Sequence, residues 1–169
     1  IGNPTAVPGI IYGFSPSVRY KGFGLELLFQ GAAKVDWYYH GSAIMPFWET
    51  MLPYKQNFDY WTPQNTNAKF PRLTSSPTVN NEQRSSFWMG DADYLRLKSA
   101  TLSYTLPASV MNRVGFQSIR IYLSGQNILT WTKLINYDPE IGPNNSWIPN
   151  NAWGYPNQKA ISVGMNITF

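Results

Sequence analysis

Asp138 and Glu140 are the pair of carboxylates whose spacing could support acid–base chemistry. Pro139 stiffens the backbone between them, and the sequence around them offers no further group that would complete a catalytic site. Asp91 and Asp93 offer oxygen ligands of the kind that Ca²⁺ prefers, but acidic residues do not follow at the spacing of a calcium-binding loop. We therefore interpret all four carboxylates as parts of loop structure.

The remaining residue types give no support to catalysis or metal binding. His40 is the only histidine and cysteine is absent, so the usual zinc ligand sets cannot be assembled. The sequence also lacks phosphate-binding glycine loops and the Gly-x-Ser-x-Gly nucleophile motif. Lys and Arg are scattered singly, which argues against nucleic-acid binding. The sequence predicts a protein that is not an enzyme and uses no cofactor or metal.

Aromatic side chains in the long segments between the predicted strands are better candidates for binding. Flat Trp and Tyr rings stack on sugars and contact partner proteins, although they can equally pack a loop or line a membrane boundary. The candidates are Trp37, Tyr38, Tyr39, Trp48, Tyr54, Trp147, Trp153 and Tyr155.

The elements that would position these residues are strands, as the last nine residues illustrate. Small or polar residues alternate there with the apolar Ile161, Val163, Met165, Ile167 and Phe169. Alternation with period two predicts a β-strand with one apolar face. Such a strand fits a transmembrane barrel, with lipid on one face and a wet lumen on the other, and it also fits the closing strand of a soluble β-sandwich.

Similar alternation predicts an all-β, antiparallel fold of about five strands. Lys21-Gly22 predicts a tight hairpin turn, and Pro16 predicts a bend or bulge. In the third strand the apolar residues change from odd to even positions, which predicts a bulge near Ser99-Ala100. The strands are expected at about 11–21, 23–33, 93–106, 117–131 and 158–169.

The lengths of the connections favour the barrel over the sandwich. Long loops at about 34–92 and 132–157 alternate with short connections, as in outer-membrane barrels with short periplasmic turns and long extracellular loops. Charged residues make up 13% of the chain, against about 25% in an average soluble domain, and aromatics reach 16%. No apolar run is long enough for a transmembrane helix.

Charged and amide side chains on the predicted strands are expected to face the lumen. A charge on the lipid face of a barrel costs about 2–4 kcal/mol at mid-membrane, so the opposite face is the favourable one. These residues are Arg19, Glu26, Gln30, Arg96, Lys98, Arg120 and Gln126.

Several motifs in order resemble SusC/RagA-type TonB-dependent outer-membrane transporters. Asp93–Pro107 (DYLRLKSATLSYTLP) resembles the family's C-terminal signature, and Ile119–Trp131 (IRIYLSGQNILTW) resembles the strand that follows it. Further matches are the first hairpin, Trp61–Asn65, Ala68–Arg72, Tyr137–Glu140, and Tyr155-Pro156 with the strand ending at Phe169.

The resemblance implies a barrel of about 22 strands with an N-terminal plug domain. Such proteins import glycans, oligosaccharides or peptides across the outer membrane of Gram-negative, Bacteroidota-type bacteria. They work with TonB and with a SusD-like surface lipoprotein that acts as a lid. The plug, the TonB box and most strands are absent here, and five strands cannot close a barrel. We therefore expect the C-terminal part of a longer transporter, with any export signal upstream of Ile1.

The same resemblance assigns roles and partners to the residues named above. The aromatic candidates would contact substrate or the lid, and the charged candidates would face the lumen or the plug. The terminal alternating strand, which ends at Phe169, would be the assembly signal. The implied partners are the rest of the barrel and plug, the lipoprotein, TonB, the substrate and outer-membrane lipid.

Overall fold

A computed structural model of the chain describes residues 7–39, 46–47, 52–53, 55–76, 78–83, 85–134, 137–141 and 155–169. The chain divides into two compact units. The sheet unit comprises Pro8–Ala33, Asp93–Lys133 and Asn157–Phe169. The loop unit comprises Ile1–Val7, Lys34–Ala92 and Leu134–Pro156.

Strands dominate the described residues, which also contain two short α-helices and 3₁₀ turns at Lys55–Phe58 and Ser86–Trp88. The elements in chain order are β1 (Ile10–Phe14), β2 (Ser17–Tyr20), β3 (Phe23–Ala33), β4 (Asp36–Tyr38), α1 (Val79–Glu82), β5 (Met89–Asp91), β6 (Tyr94–Thr105), α2 (Ala108–Val114), β7 (Ser118–Thr132) and β8 (Ala160–Thr168). Among the described residues, no helix is both long and apolar enough to cross a membrane.

The sheet unit is a single antiparallel meander. β1 and β2 both pair with β3, and the order then continues through β6 and β7 to β8. Every pairing is antiparallel, because each strand returns beside the one before it in the sheet. The predicted all-β antiparallel class is confirmed.

The hairpin between β2 and β3 turns at Lys21-Gly22, as predicted. Both residues have positive φ, 45° and 88°, which is the geometry of a type I′ turn. A Cβ on Gly22 would lie 2.7 Å from the carbonyl oxygen of Thr105, and the Thr105 N–H donates to the Gly22 carbonyl at 2.8 Å. Gly22 is therefore required both by the turn and by the close approach of β6.

Pro16 separates β1 from β2 without changing their register. Phe14 pairs with Phe29 and Ser17 pairs with Glu26, so the register of β1 against β3 continues unchanged into β2. The Pro16 carbonyl still accepts the N–H of Leu27 at 3.0 Å. Of the predicted bend or bulge, the bulge is absent, and the ladder is interrupted because proline has no N–H to donate.

The predicted change of parity in β6 occurs at Lys98, next to the expected Ser99-Ala100. The register with β3 shifts there, since Leu28 pairs with Ser99 while Phe29 pairs with Leu97. Lys98 is the extra residue, and it brings the apolar residues before and after it onto one face.

The chain leaves the two ends of the sheet in different ways. Both long connections depart after β3 and β7 and return at β6 and β8, at the end opposite the Lys21-Gly22 turn. The short connection between β6 and β7 contains the helix α2. The sequence patterns predicted this connection but not the helix within it. Gly115 ends this helix with φ 75°, and its N–H donates to the Met111 carbonyl at 3.1 Å.

The loop unit has a small core of its own. β4 and β5 form a two-stranded ribbon between segments about fifty residues apart, within the long loop predicted at 34–92. One cluster of buried residues contains Tyr38 and Trp88, and another contains Trp37, Ala92 and Leu134.

Candidate functional site

The sheet has one apolar face, and much of it is exposed in the part of the chain that the structure describes. Val163 is 76% exposed and Ile161 is 78% exposed, although both are aliphatic. Their registered neighbours continue the face across the sheet, because Leu123 pairs with Val163, Leu102 with Leu123, and Leu25 with Leu102. We call this surface the apolar face, and its members are Tyr12, Phe14, Val18, Tyr20, Phe23, Leu25, Leu27, Phe29, Leu95, Leu97, Leu102, Tyr104, Ile119, Ile121, Leu123, Leu129, Trp131, Ile161, Val163, Met165 and Ile167.

Aromatic rings bound this face at both ends. Phe14 stacks on Phe29 with ring centroids 4.6 Å apart, and Trp131 lies 6.5 Å from Phe29. At the turn end Phe23 and Tyr104 lie 4.5 Å apart. Aliphatic side chains fill the space between, which is the pattern of a barrel's apolar band flanked by aromatic girdles.

The height of the band also suits a membrane. Ile121, which pairs with Tyr104, and Trp131 are ten residues apart in β7. That separation spans about 33 Å along a strand, or about 25 Å along the membrane normal at a tilt of about 40°. The apolar band of an outer-membrane barrel is about 25 Å tall.

The opposite face, which we call the polar face, carries a network of charged side chains near the turn. Nη2 of Arg19 lies 3.1 Å from a carboxylate oxygen of Glu26, and Nη2 of Arg120 lies 3.7 Å from the same oxygen. Arg120 also donates to Oγ of Ser103 at 3.1 Å, and Ser103 donates to the Gly24 carbonyl at 3.4 Å. Three strands, β3, β6 and β7, are thus joined by side chains on this face.

The other predicted lumen-facing residues lie further along the same sheet. Gln30 pairs with Arg96, and Gln126 pairs with Ser99 on the polar face. Arg96 is only 3% exposed, with its guanidinium 6.0 Å from the ring centre of Tyr94. Lys98 is the bulge residue of β6. All seven predicted residues therefore lie on strands of the sheet unit, and their assignment to a lumen or a plug stays a prediction.

The structure separates the aromatic candidates of the loop unit into different settings. Trp37 and Tyr38 are buried, and the Trp37 ring stacks with Tyr137 at 5.8 Å between centroids. Tyr39 is partly buried, with its ring also 5.8 Å from that of Tyr137. Tyr155 is 78% exposed. Trp48, Tyr54, Trp147 and Trp153 lie outside the described residues, as does His40.

Of the carboxylates considered for chemistry, Asp91 is the last residue of β5, and Asp138 and Glu140 belong to a local turn. The Asp138 side chain accepts a hydrogen bond from the N–H of Glu140 at 3.0 Å, and the backbone carbonyl of Asp138 accepts one from the N–H of Ile141 at 3.1 Å. Asp138 and Glu140 are therefore held by a local turn. Within the described residues, no group of three or more His, Cys, Asp or Glu side chains is arranged to hold a metal ion.

Two edges of the sheet are open in the described residues. The sheet order begins with β1 and β2 and ends with β8, so each of these strands uses only one side for pairing. An edge strand presents a row of unpaired N–H and C=O groups, each of which costs several kcal/mol in a lipid environment. A sheet with this apolar face therefore needs further strands at both edges before it can sit in a membrane.

Sequence comparison identifies relatives over the full length of the chain. TonB-dependent receptor P3 of Formosa agariphila is 32% identical over 184 aligned residues, which cover 100% of this chain and 17% of that receptor. TonB-dependent receptor P26 of the same organism is 30% identical and is covered to 18%. The chain is homologous to one segment of the TonB-dependent receptors. It spans less than a fifth of the length of these curated relatives.

Structural comparison agrees with this relationship. The structure of the RagAB peptide transporter superposes with a TM-score of 0.77 and 27% identity, covering 99% of this chain and 18% of the other. The RagAB peptide importer in the open-open state gives a TM-score of 0.73 and 28% identity, covering 96% and 17%. No family model matches the chain. The resemblance to SusC/RagA-type TonB-dependent transporters is confirmed, and the antiparallel sheet fits a barrel segment of such a receptor.

The sequence patterns missed some features of the sheet. Tyr12 reaches from β1 across Gly31, and its hydroxyl donates to the Tyr94 carbonyl at 2.9 Å. On the polar face Tyr122 lies in the same way over Gly164. Once strand register is known, a tyrosine opposite a glycine in the neighbouring strand is the signal that reveals such contacts.

Proposed function

We propose that this chain forms about five strands of the barrel wall of a TonB-dependent importer in the outer membrane. The observation that carries the proposal is the two-faced sheet, with its exposed apolar face, its charged opposite face and its open edges. The rest of the receptor would supply the missing strands, the plug and the contact with TonB. The bacterium would be Gram-negative and of the Bacteroidota type.

A soluble carbohydrate-binding sandwich explains the sheet less well. A sandwich would bury the apolar faces of its strands against each other, as the hydrophobic effect requires. Val163 and Ile161 are instead more than three-quarters exposed. A lipid-facing wall accounts for such exposure, because acyl chains cover the face in the membrane.

The long connections would form part of the substrate vestibule and of the seat for a SusD-like lipoprotein lid. Both connections leave the same end of the sheet, which is the extracellular end if the short turns are periplasmic. Tyr155, exposed at the end of one connection, is the best-placed described candidate for contact with substrate or lid. Trp37 and Tyr38 are better suited to supporting this surface from within the loop unit.

The substrate would be an oligomer, either a glycan or a peptide. Similarity to the RagAB peptide importer makes peptides the first class to test, and exposed aromatic side chains would also suit sugar rings. The role is transport rather than catalysis, in keeping with the homologous receptors.

Membrane fractionation followed by binding measurements tests the proposal. The receptor that carries this chain is extracted from outer membranes with detergent, and mass spectrometry identifies whatever purifies with it. We expect a large receptor together with a surface lipoprotein, and binding of one oligomer class in calorimetry. Recovery of the 19.2 kDa chain alone in the soluble fraction, without detergent, would contradict the proposal.

A further inference from the structure

Positive charge is concentrated in the sheet unit. Residues 8–33, 93–133 and 157–169 contain eight Lys and Arg but only two carboxylates, Glu26 and Asp93. The rest of the chain contains five basic and seven acidic residues. An excess of one sign on a surface attracts groups of the opposite sign.

Part of this excess surrounds a cavity of about 330 Å³ beside the β2–β3 turn. Arg19, Lys21 and Arg120 line it, together with Ser103 and Thr105. We call it the turn-end cavity. Three cationic residues in its lining suit an anionic oxygen ligand, whereas the Ser103 hydroxyl already donates its proton to the Gly24 carbonyl.

Glu26 neutralises these cations only in part. One oxygen of its carboxylate lies 3.1 Å from Arg19 and 3.7 Å from Arg120, so a single negative charge serves two guanidinium groups. The Arg19 side chain is 80% exposed, and a guanidinium group carries five N–H donors in a planar fork. A second carboxylate could therefore bind to Arg19 and Arg120 without displacing Glu26.

We propose that the turn-end cavity docks an Asp or Glu side chain from an acidic segment of the receptor outside this chain. The inference rests on the proposed function, since it requires a larger receptor around the sheet. A receptor of the relatives' length has more than four-fifths of its residues outside this segment. Arg19 and Arg120 project from the face opposite the exposed aliphatic residues, where membrane lipid would not reach.

Zero-length cross-linking in the full-length receptor tests the proposal. A carbodiimide joins a lysine amine to a carboxylate that it touches, so the native Lys21 is already a probe at the cavity. The variant Arg19→Lys adds a second amine while keeping the charge. Arg113→Lys in α2 is the matched control, because Arg113 does not line the cavity.

We expect mass spectrometry to find cross-linked peptides that join residue 19 or Lys21 to an Asp or Glu elsewhere in the receptor. In the Arg19→Lys background, Arg120→Glu should lower the yield more than about tenfold, because it replaces attraction with repulsion. Glu26→Gln should raise the yield, since it removes the competing carboxylate. Arg113→Lys should add no cross-link to the same acidic residue.

The outcomes separate this inference from the proposed function. Cross-links confined to Glu26, or none at all in a receptor that is correctly inserted in the membrane, would overturn the docking site alone. A receptor that does not fractionate with the outer membrane would contradict the proposed function itself.

Discussion

The ring of Tyr122 in β7 lies directly over Gly164, its registered partner in β8. A Cβ on Gly164 would lie 2.9 Å from Cε1 of Tyr122, and it would lie closer still to Cζ and the hydroxyl oxygen. The glycine thus provides the space in which the tyrosine packs across the two strands. This contact ties the edge strand β8 to the sheet on its polar face.

Replacing Gly164 with valine should displace the Tyr122 ring and weaken the contact between β7 and β8. Overpacking of this kind costs about 1–3 kcal/mol, which urea unfolding of the reconstituted receptor would measure. In a Tyr122→Ala background the same valine should cost little, because its side chain then has space and valine favours strands. Equal costs in both backgrounds would show that the ring does not occupy this site.

Replacing Gly22 with alanine should destabilise the β2–β3 hairpin. The residue has φ 88°, and its Cβ would lie 2.7 Å from the Thr105 carbonyl oxygen, so the backbone and the packing both oppose a side chain. We expect a loss of at least about 1 kcal/mol in unfolding free energy. Lys21→Asn at the neighbouring turn position is the control, because asparagine tolerates positive φ and should be neutral or stabilising.

A charge on the apolar face should be far more costly than the same charge on the polar face. Leu123→Arg would place a guanidinium group in lipid, at a cost of about 2–4 kcal/mol near mid-membrane. Ser124→Arg, one residue along β7 and on the opposite face, is the matched control and should cost little. Unfolding of the two variants in lipid vesicles gives the difference, and similar losses for both would contradict the assignment of faces.

Phe169→Asp should impair assembly of the receptor in the outer membrane much more than its affinity for substrate. The Phe169 side chain, directly after β8, is 88% exposed, and we propose that the assembly machinery recognises it. The amount of folded receptor in outer membranes measures the first effect, and calorimetry of purified receptor measures the second. Normal insertion of this variant would refute the role of the last strand as an assembly signal.

Trp37→Ala should mainly reduce stability, whereas Tyr155→Ala should mainly reduce binding. Trp37 is buried against Tyr137, so its loss should destabilise the loop unit by about 3–5 kcal/mol. Tyr155 is 78% exposed, so its loss should destabilise the protein far less than the loss of Trp37 and should weaken binding of substrate or lid. Limited proteolysis and binding measurements on the same preparations distinguish the two. If Tyr155→Ala leaves all binding unchanged, its proposed contact is wrong.

Much of the sheet could be predicted because a barrel strand repeats one simple pattern. The alternation from Ile119 to Trp131 and from Ile161 to Phe169 identified β7, β8 and the face that each residue occupies. In β6 the apolar residues change from odd to even positions, because a single extra residue reverses the face of every residue after it. This change placed the bulge within a residue or two of Lys98.

Other elements carried too little local information to be predicted. α2 is seven residues long, which is too short for a helical period to stand out. β4 and β5 have three residues each, and they pair only through contacts between distant parts of the chain. Trp37 and Tyr38 were grouped with the candidates for binding, although both are buried. The sequence around an aromatic residue in a loop does not distinguish packing inside the protein from binding a ligand.

Reagent accessibility along β7 tests the central claim most directly. Cysteine is absent from this chain, so single cysteines can be placed at residues 120 to 124 in a receptor without other cysteines, embedded in outer-membrane vesicles. We expect positions 121 and 123 to be protected from a charged maleimide and labelled by a lipid-soluble one, while positions 120, 122 and 124 show no labelling by the lipid-soluble reagent. Labelling of all five positions by the charged reagent would contradict a lipid-facing wall.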